Sequence, residues 1–239
     1  MAATVQPDER TKRAVERLSP PRFAPYLAAT HGNVKDGLRL YYWNVDLSGA
    51  VYESLHLFEV ILRNAMDKQL CSWNAAQVDD ESGRSYEHDW LLDPSPLLNR
   101  LAGRDIAKAK RHAHSATRAQ REPGHPDMLA QLSFGTWRYL LPDNDPGRQL
   151  LWNQALCHAF PHLRGTSEGL VHSVNGVHKL RNRVAHLEPL LNSSLIRDRL
   201  AAMRTVLAAI DPDAENMFTS RQRITPTLKA RPELRHKVS

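Results

Sequence analysis

Residues 180–190 read LRNRVAHLEPL, with Arg181, Arg183 and His186 close together and no acid before Glu188. On a helix, Asn182 and His186 are four apart and share a face. Arg181 lies about 140° around the axis from His186 at 100° per residue, a gap its three methylenes can span. Arg183 stands at least 60° from the other three on the helical wheel and is expected to face solvent or a partner chain. Pro189 removes an N–H and clashes with the carbonyl of Ala185, so the helix should end near Leu187. That places His186 among free carbonyls at the negative end of the dipole, which favours the imidazolium. Such a histidine can transfer a proton or hold phosphate as a cation. Arg181 can clamp a phosphate bidentately, and Asn182 can fix the histidine tautomer or reach a ribose hydroxyl. Together these parts suit cleavage of RNA by its own 2'-hydroxyl, which needs only proton transfer and charge stabilisation at the phosphorane. The same residues also suit a basic surface helix with no chemistry.

The elements that would carry this stretch are helical throughout. Leu47, Val51, Leu55, Phe58, Leu62 and Ala65 step by three or four and predict a long amphipathic helix over 44–70. A broken helical stretch precedes it, with a turn at His31-Gly32-Asn33. A second helix starts near Leu97 and carries a basic stripe of Arg100, Arg104, Lys108 and Arg111, a candidate track for an RNA backbone. Short helices follow around 127–141 and 148–160. The motif helix opens near Leu170 after a Thr166 or Ser167 cap, with Leu170, Val174, Val177 and Val184 on its core face. Ile196, Leu200, Met203, Leu207 and Ile210 mark another helix, closed by Asp211-Pro212. The expected architecture is all-α: one helical bundle of about five to seven helices over 1–212, then a basic, flexible tail over 213–239.

Composition narrows the setting. The 239 residues are 41% hydrophobic, with a mean hydropathy of -0.51, a net charge of +6 and a pI near 9.5. The basic residues concentrate in 100–121 and 216–239, which suits an anionic partner. No apolar run is long enough for a membrane span, and the first residues, charged from Asp8 onward, lack a signal-peptide core. A cytoplasmic protein away from membranes is therefore expected. Cys71 and Cys157 show neither CxxC nor metal-ligand spacing and read as small buried apolar residues, and His112 and His114, two apart, point different ways on a helix. No metal and no cofactor are expected. The aromatic residues Tyr41, Tyr42, Trp43, Phe134 and Trp137 read as core.

RNRVAH fits the Arg-Asn, three residues, His pattern of the HEPN superfamily of all-α ribonucleases. Together with RFAPYLAA, LYYWN, LHLFEVILRNAMDKQL, QLSFGTWRYLL and KLRNRVAHLEP, in that order over about 17–210, the chain resembles the Abi-like, abortive-infection branch. The resemblance implies a helical bundle that dimerises and joins two Arg/His motifs in one cleft. It implies a metal-independent endoribonuclease of toxin or antiviral type, with Arg181, Asn182 and His186 catalytic. Arg183, Glu59, Arg63 and Asn64 are the candidates for binding substrate, Glu59 also for orienting Arg181. The bland reading of Glu59 and Arg63 is an exposed i, i+4 ion pair. RNA, a second copy of the chain, and an antitoxin or other defence protein are the implied partners. One departure stands out: related sequences often place a second histidine directly after the motif histidine, where this chain has Leu187. That departure favours an alternative, a catalytically silent HEPN module that binds RNA, a nucleotide or a partner protein.

Overall fold

A computed structural model describes residues 9–117 and 121–233. Prolines and small caps set the helix boundaries. Ser19-Pro20-Pro21 ends α1 (Glu9–Leu18) and opens α2 (Pro20–Ala29), because a proline at the first helical position lacks only an N–H that would be unpaired anyway. His31 and Gly32 turn the chain with positive φ, and Asn33 then caps α3 (Val34–Ala75). Its Oδ1 accepts from the N–H groups of Lys35 and Asp36, and its Nδ2 donates to the Asp36 carboxylate at 2.8 Å. No proline follows Asn33 before the end of the helix, so α3 begins ten residues before the sequence expectation and runs unbroken past Leu70. Then come α4 (Pro96–Ala116), α5 (His125–Leu129), α6 (Phe134–Leu140), α7 (Pro146–Gln154) and a 3-10 turn at Leu156–Ala159. The chain continues through α8 (Ser167–Ala185), α9 (Ser193–Ile210), α10 (Pro212–Arg221) and α11 (Ile224–Lys229). Among the described residues there is no strand, and the fold is all-α as expected. The helix count exceeds the expected five to seven because several helices are too short to show a repeat. No described helix is long and apolar enough to cross a membrane.

The contacts divide the chain into two compact units built from interleaved segments. The first takes the residues up to Ser54, Arg181–Asp198, and those from Arg221 on. Phe23, Tyr26, Leu40, Trp43, Leu47, Val51, Val184, Leu190, Ile196 and Ile224 fill its interior. The second takes Leu55–Leu180 and Arg199–Ser220. Its core holds Phe58, Leu62, Met66, Leu70, Trp90, Phe134, Trp137, Val174, Val177, Met203 and Phe218. Met66, not Ala65, continues the buried row of α3. Of the aromatic residues read as core, Phe134, Trp137 and Trp43 are buried, while Tyr42 is 58% exposed.

The stretch expected to be a flexible tail is folded through Glu233; residues 234–239 lie outside the described residues. Phe218 of α10 and Ile224 of α11 are fully buried. Its arginines pair internally as well. Arg223 grips the Glu53 carboxylate, with Nε to Oε2 at 2.9 Å. Arg231 donates to the Leu191 carbonyl and the Ser193 hydroxyl at 2.9 Å each, with its guanidinium 5.0 Å from the centre of the Trp43 ring. Trp43 Nε1 in turn donates to the Thr227 carbonyl at 2.7 Å. One buried anchor per short helix is too sparse a signal for a periodicity argument, so the segment reads as unstructured in sequence alone.

Candidate functional site

Thr166 caps α8, its hydroxyl accepting the Gly169 N–H at 3.2 Å. Leu170, Val174, Val177, Leu180 and Val184 are buried along one face of the helix. Arg181, Asn182 and Arg183 are half-buried and His186 is exposed. The α-helical pattern persists to His186, whose N–H reaches the Asn182 carbonyl at 2.9 Å. The chain then turns off through Leu187 at φ 56. Leu187 N–H donates to the Val184 carbonyl at 3.0 Å and Glu188 N–H to the Arg183 carbonyl at 2.9 Å. This is the paired bonding of a Schellman cap, with leucine at the left-handed position where glycine is usual. Leu187 is 67% exposed.

Arg183 is engaged within its own turn. It turns back over the cap and donates from Nη2 to the Pro189 carbonyl at 2.8 Å. Its Nε lies 3.2 Å from the Glu188 carboxylate, an ion-pair contact without hydrogen-bond alignment. A Schellman cap commonly joins these two positions by an apolar contact; here an ion pair takes that place. The guanidinium thus braces the loop after the helix. Two further bonds hold that loop: Leu190 N–H to buried Asn44 Oδ1 at 2.6 Å, and Arg22 Nη1 to the Leu187 carbonyl at 3.4 Å. Among the described residues, the side chains of Arg181 and His186 form no hydrogen bond or ion pair. The motif therefore has a braced backbone carrying two uncommitted polar groups.

Arg181, Asn182, Arg183 and His186 all belong to the first unit, whereas Glu59, Arg63 and Asn64 belong to the second. There, Arg63 Nε donates to Asn64 Oδ1 at 3.2 Å, and Glu59 is half-buried. Of the basic stripe on α4, Arg100 is spent on Asp145, with bonds of 3.0 and 2.9 Å to its two oxygens. That guanidinium holds the Asp145 carboxyl well below the usual range. Arg104, Lys108 and Arg111 remain exposed. A groove of about 1170 Å³ in the first unit is lined by Tyr42, Trp43, Asp46, Arg223 and Thr227 among others, and it includes neither Arg181 nor His186.

Sequence reasoning missed two groups. Asn74, fully buried, donates to the Glu87 and Asp93 carbonyls at 2.7 and 2.9 Å and accepts the Ser95 N–H at 2.9 Å, fixing the connection between α3 and α4. In the same unit, Asp67, Cys71 and His125 converge. Burial works against the His125 imidazolium, but bonding to Asp67 and Cys71 outweighs it and pushes the pKa up to about 10. The available signal was the four-residue spacing of Asp67 and Cys71, one helix turn. Nothing local in the sequence pointed to His125. Compared with known proteins, the chain matches no family model, no curated protein and no solved structure.

Proposed function

We propose that the chain is a metal-independent endoribonuclease of the HEPN, Abi-like kind, working as a homodimer on RNA in the cytoplasm. The observation that carries the reading is the Arg-Asn, three residues, His spacing at the end of α8, where Arg181 and His186 are uncommitted while Arg183 secures the turn beside them. In the reaction, the ribose 2'-oxygen attacks the adjacent phosphorus and the 5'-oxygen leaves, giving a 2',3'-cyclic phosphate. His186 transfers a proton at one of these oxygens. Arg181 stabilises the charge of the phosphorane, and Asn182 positions the ribose or the imidazole. A second His186 across a twofold axis supplies the complementary acid or base. An antitoxin or another defence protein would hold such activity in check.

Leu187 favours the second reading, a silent module that binds RNA, a nucleotide or a partner protein. It is an exposed apolar side chain on left-handed backbone, where relatives of the proposed family often carry a histidine. Incubating the purified chain with total RNA and no added divalent metal separates the two. The nuclease reading expects discrete fragments ending in 2',3'-cyclic phosphate. Intact RNA with altered mobility would instead establish the binding module.

A further inference from the structure

The second unit contains a cluster that RNA chemistry does not use. Asp67 and Cys71 sit one turn apart on α3, and His125 opens α5. Cys71 and His125 are 4% and 6% exposed. His125 Nε2 lies 3.0 Å from Asp67 Oδ1 and 3.8 Å from Cys71 Sγ, and Sγ lies 4.0 Å from Oδ1. A thiol, a carboxylate and an imidazole thus share one buried point, the ligand types that zinc takes. The connection between α3 and α4 brings the exposed side chains of His88 and Asp89 to the same thiol as a second set that meets the first only at Sγ, one donor atom from each and Sγ lying within 4.8 Å of one another.

We propose that Asp67, Cys71, His125 and His88 bind one zinc ion. Tetrahedral zinc, with Zn–S about 2.3 Å and Zn–N and Zn–O about 2.0–2.1 Å, requires ligand atoms roughly 3.3–3.6 Å apart. The three atoms in place need shifts of a few tenths of an ångström to reach that triangle, and the exposed His88 side chain must swing inward past the thiol to complete it. Thiolate and imidazole donors select zinc over magnesium or calcium. Charge chooses the fourth ligand: thiolate, carboxylate and two neutral imidazoles cancel the +2 of the ion, whereas Asp89 in place of His88 would leave a net negative charge against buried Cys71 and His125. Trp90 supplies an outer contact, its Nε1 donating to Asp67 Oδ1 at 2.8 Å and so fixing the carboxylate. Binding releases the thiol proton and any proton on the ligating imidazole nitrogens. The ion ties α3 to α5 and to the long connection that Asn74 already holds, a structural role independent of the RNA reading.

The test uses the full chain, stripped with chelator, desalted under reductant and titrated with Co²⁺, then with Zn²⁺. One equivalent of Co²⁺ is expected to give the visible bands of a tetrahedral site and a near-ultraviolet thiolate charge-transfer band, and Zn²⁺ is expected to displace it. Cys71→Ser should remove the charge-transfer band. His88→Ala changes an exposed residue, so folding should survive while zinc affinity falls by more than the roughly tenfold that loss of an outer contact alone costs. Absence of saturable one-to-one binding by the parent overturns the assignment. So does binding by folded His88→Ala as tight as the parent's.

Discussion

Arg183→Ala separates bracing from chemistry at the motif. The substitution removes a charged donor 2.8 Å from the Pro189 carbonyl and a contact of 3.2 Å with Glu188, in a side chain 34% exposed. A hydrogen bond from a charged group contributes about 1.5–3 kcal/mol, and partial exposure places this one near the lower end. The half-exposed ion pair adds roughly 0.5 kcal/mol. The sum is about 2 kcal/mol, which for a chain of this length lowers the thermal midpoint by about 4–8 °C. Thermal unfolding followed by circular dichroism measures it. Arg183→Lys, with a single point charge in place of the planar fork, should recover about half. Well below the midpoint, Arg183→Ala should cleave RNA within about threefold of the parent rate, because the guanidinium is committed to the cap. An unchanged midpoint together with lost cleavage would refute this reasoning and return Arg183 to the substrate.

Three further substitutions probe other parts of the account. Asn44→Ala leaves the buried Leu190 N–H without its acceptor and should cost about 1–3 kcal/mol in urea unfolding. An unchanged denaturation midpoint would mean that this bond does not hold the loop after α8. Phe218→Ala should cost about 3–5 kcal/mol as a truncation in a closed core; a value near zero would restore the flexible tail inferred from sequence. The Asp145 carboxyl is held below its unfolded value of about 3.9, so its stabilising effect is present above that pH and is lost as pH falls through the folded value. Asp145→Asn should therefore flatten the acid limb of the midpoint-against-pH curve, and an unaltered limb would show that the Arg100 pair contributes nothing.

Legibility from sequence followed the range of each signal. The row from Leu47 to Leu62 is local and periodic, and it located α3; the proline rules placed the end of α8 within two residues of where it lies. The beginning of α3 at Val34 was missed because Tyr41, Tyr42 and Trp43 blur the period. The role of Arg183 was missed for a different reason. Its wheel position points outward, but three methylenes carry the guanidinium back over the cap, and no wheel shows that the Pro189 carbonyl is waiting. The convergence of Cys71 with His125 joins residues 54 apart, which spacing rules for metal sites do not search. The folding of 212–229 rests on Phe218 and Ile224, each a lone apolar residue whose burial depends on tertiary partners.

The proposed nuclease stands or falls on whether Arg181 and His186 act on RNA. Its most direct measurement is the cleavage rate of one defined RNA by the parent, Arg181→Ala and His186→Ala, each shown to be folded by circular dichroism. The parent should cut, and each variant should lose at least a hundredfold in rate, as when a proton-transfer or charge-stabilising group is removed. Cutting by either variant at the parent's rate would contradict it.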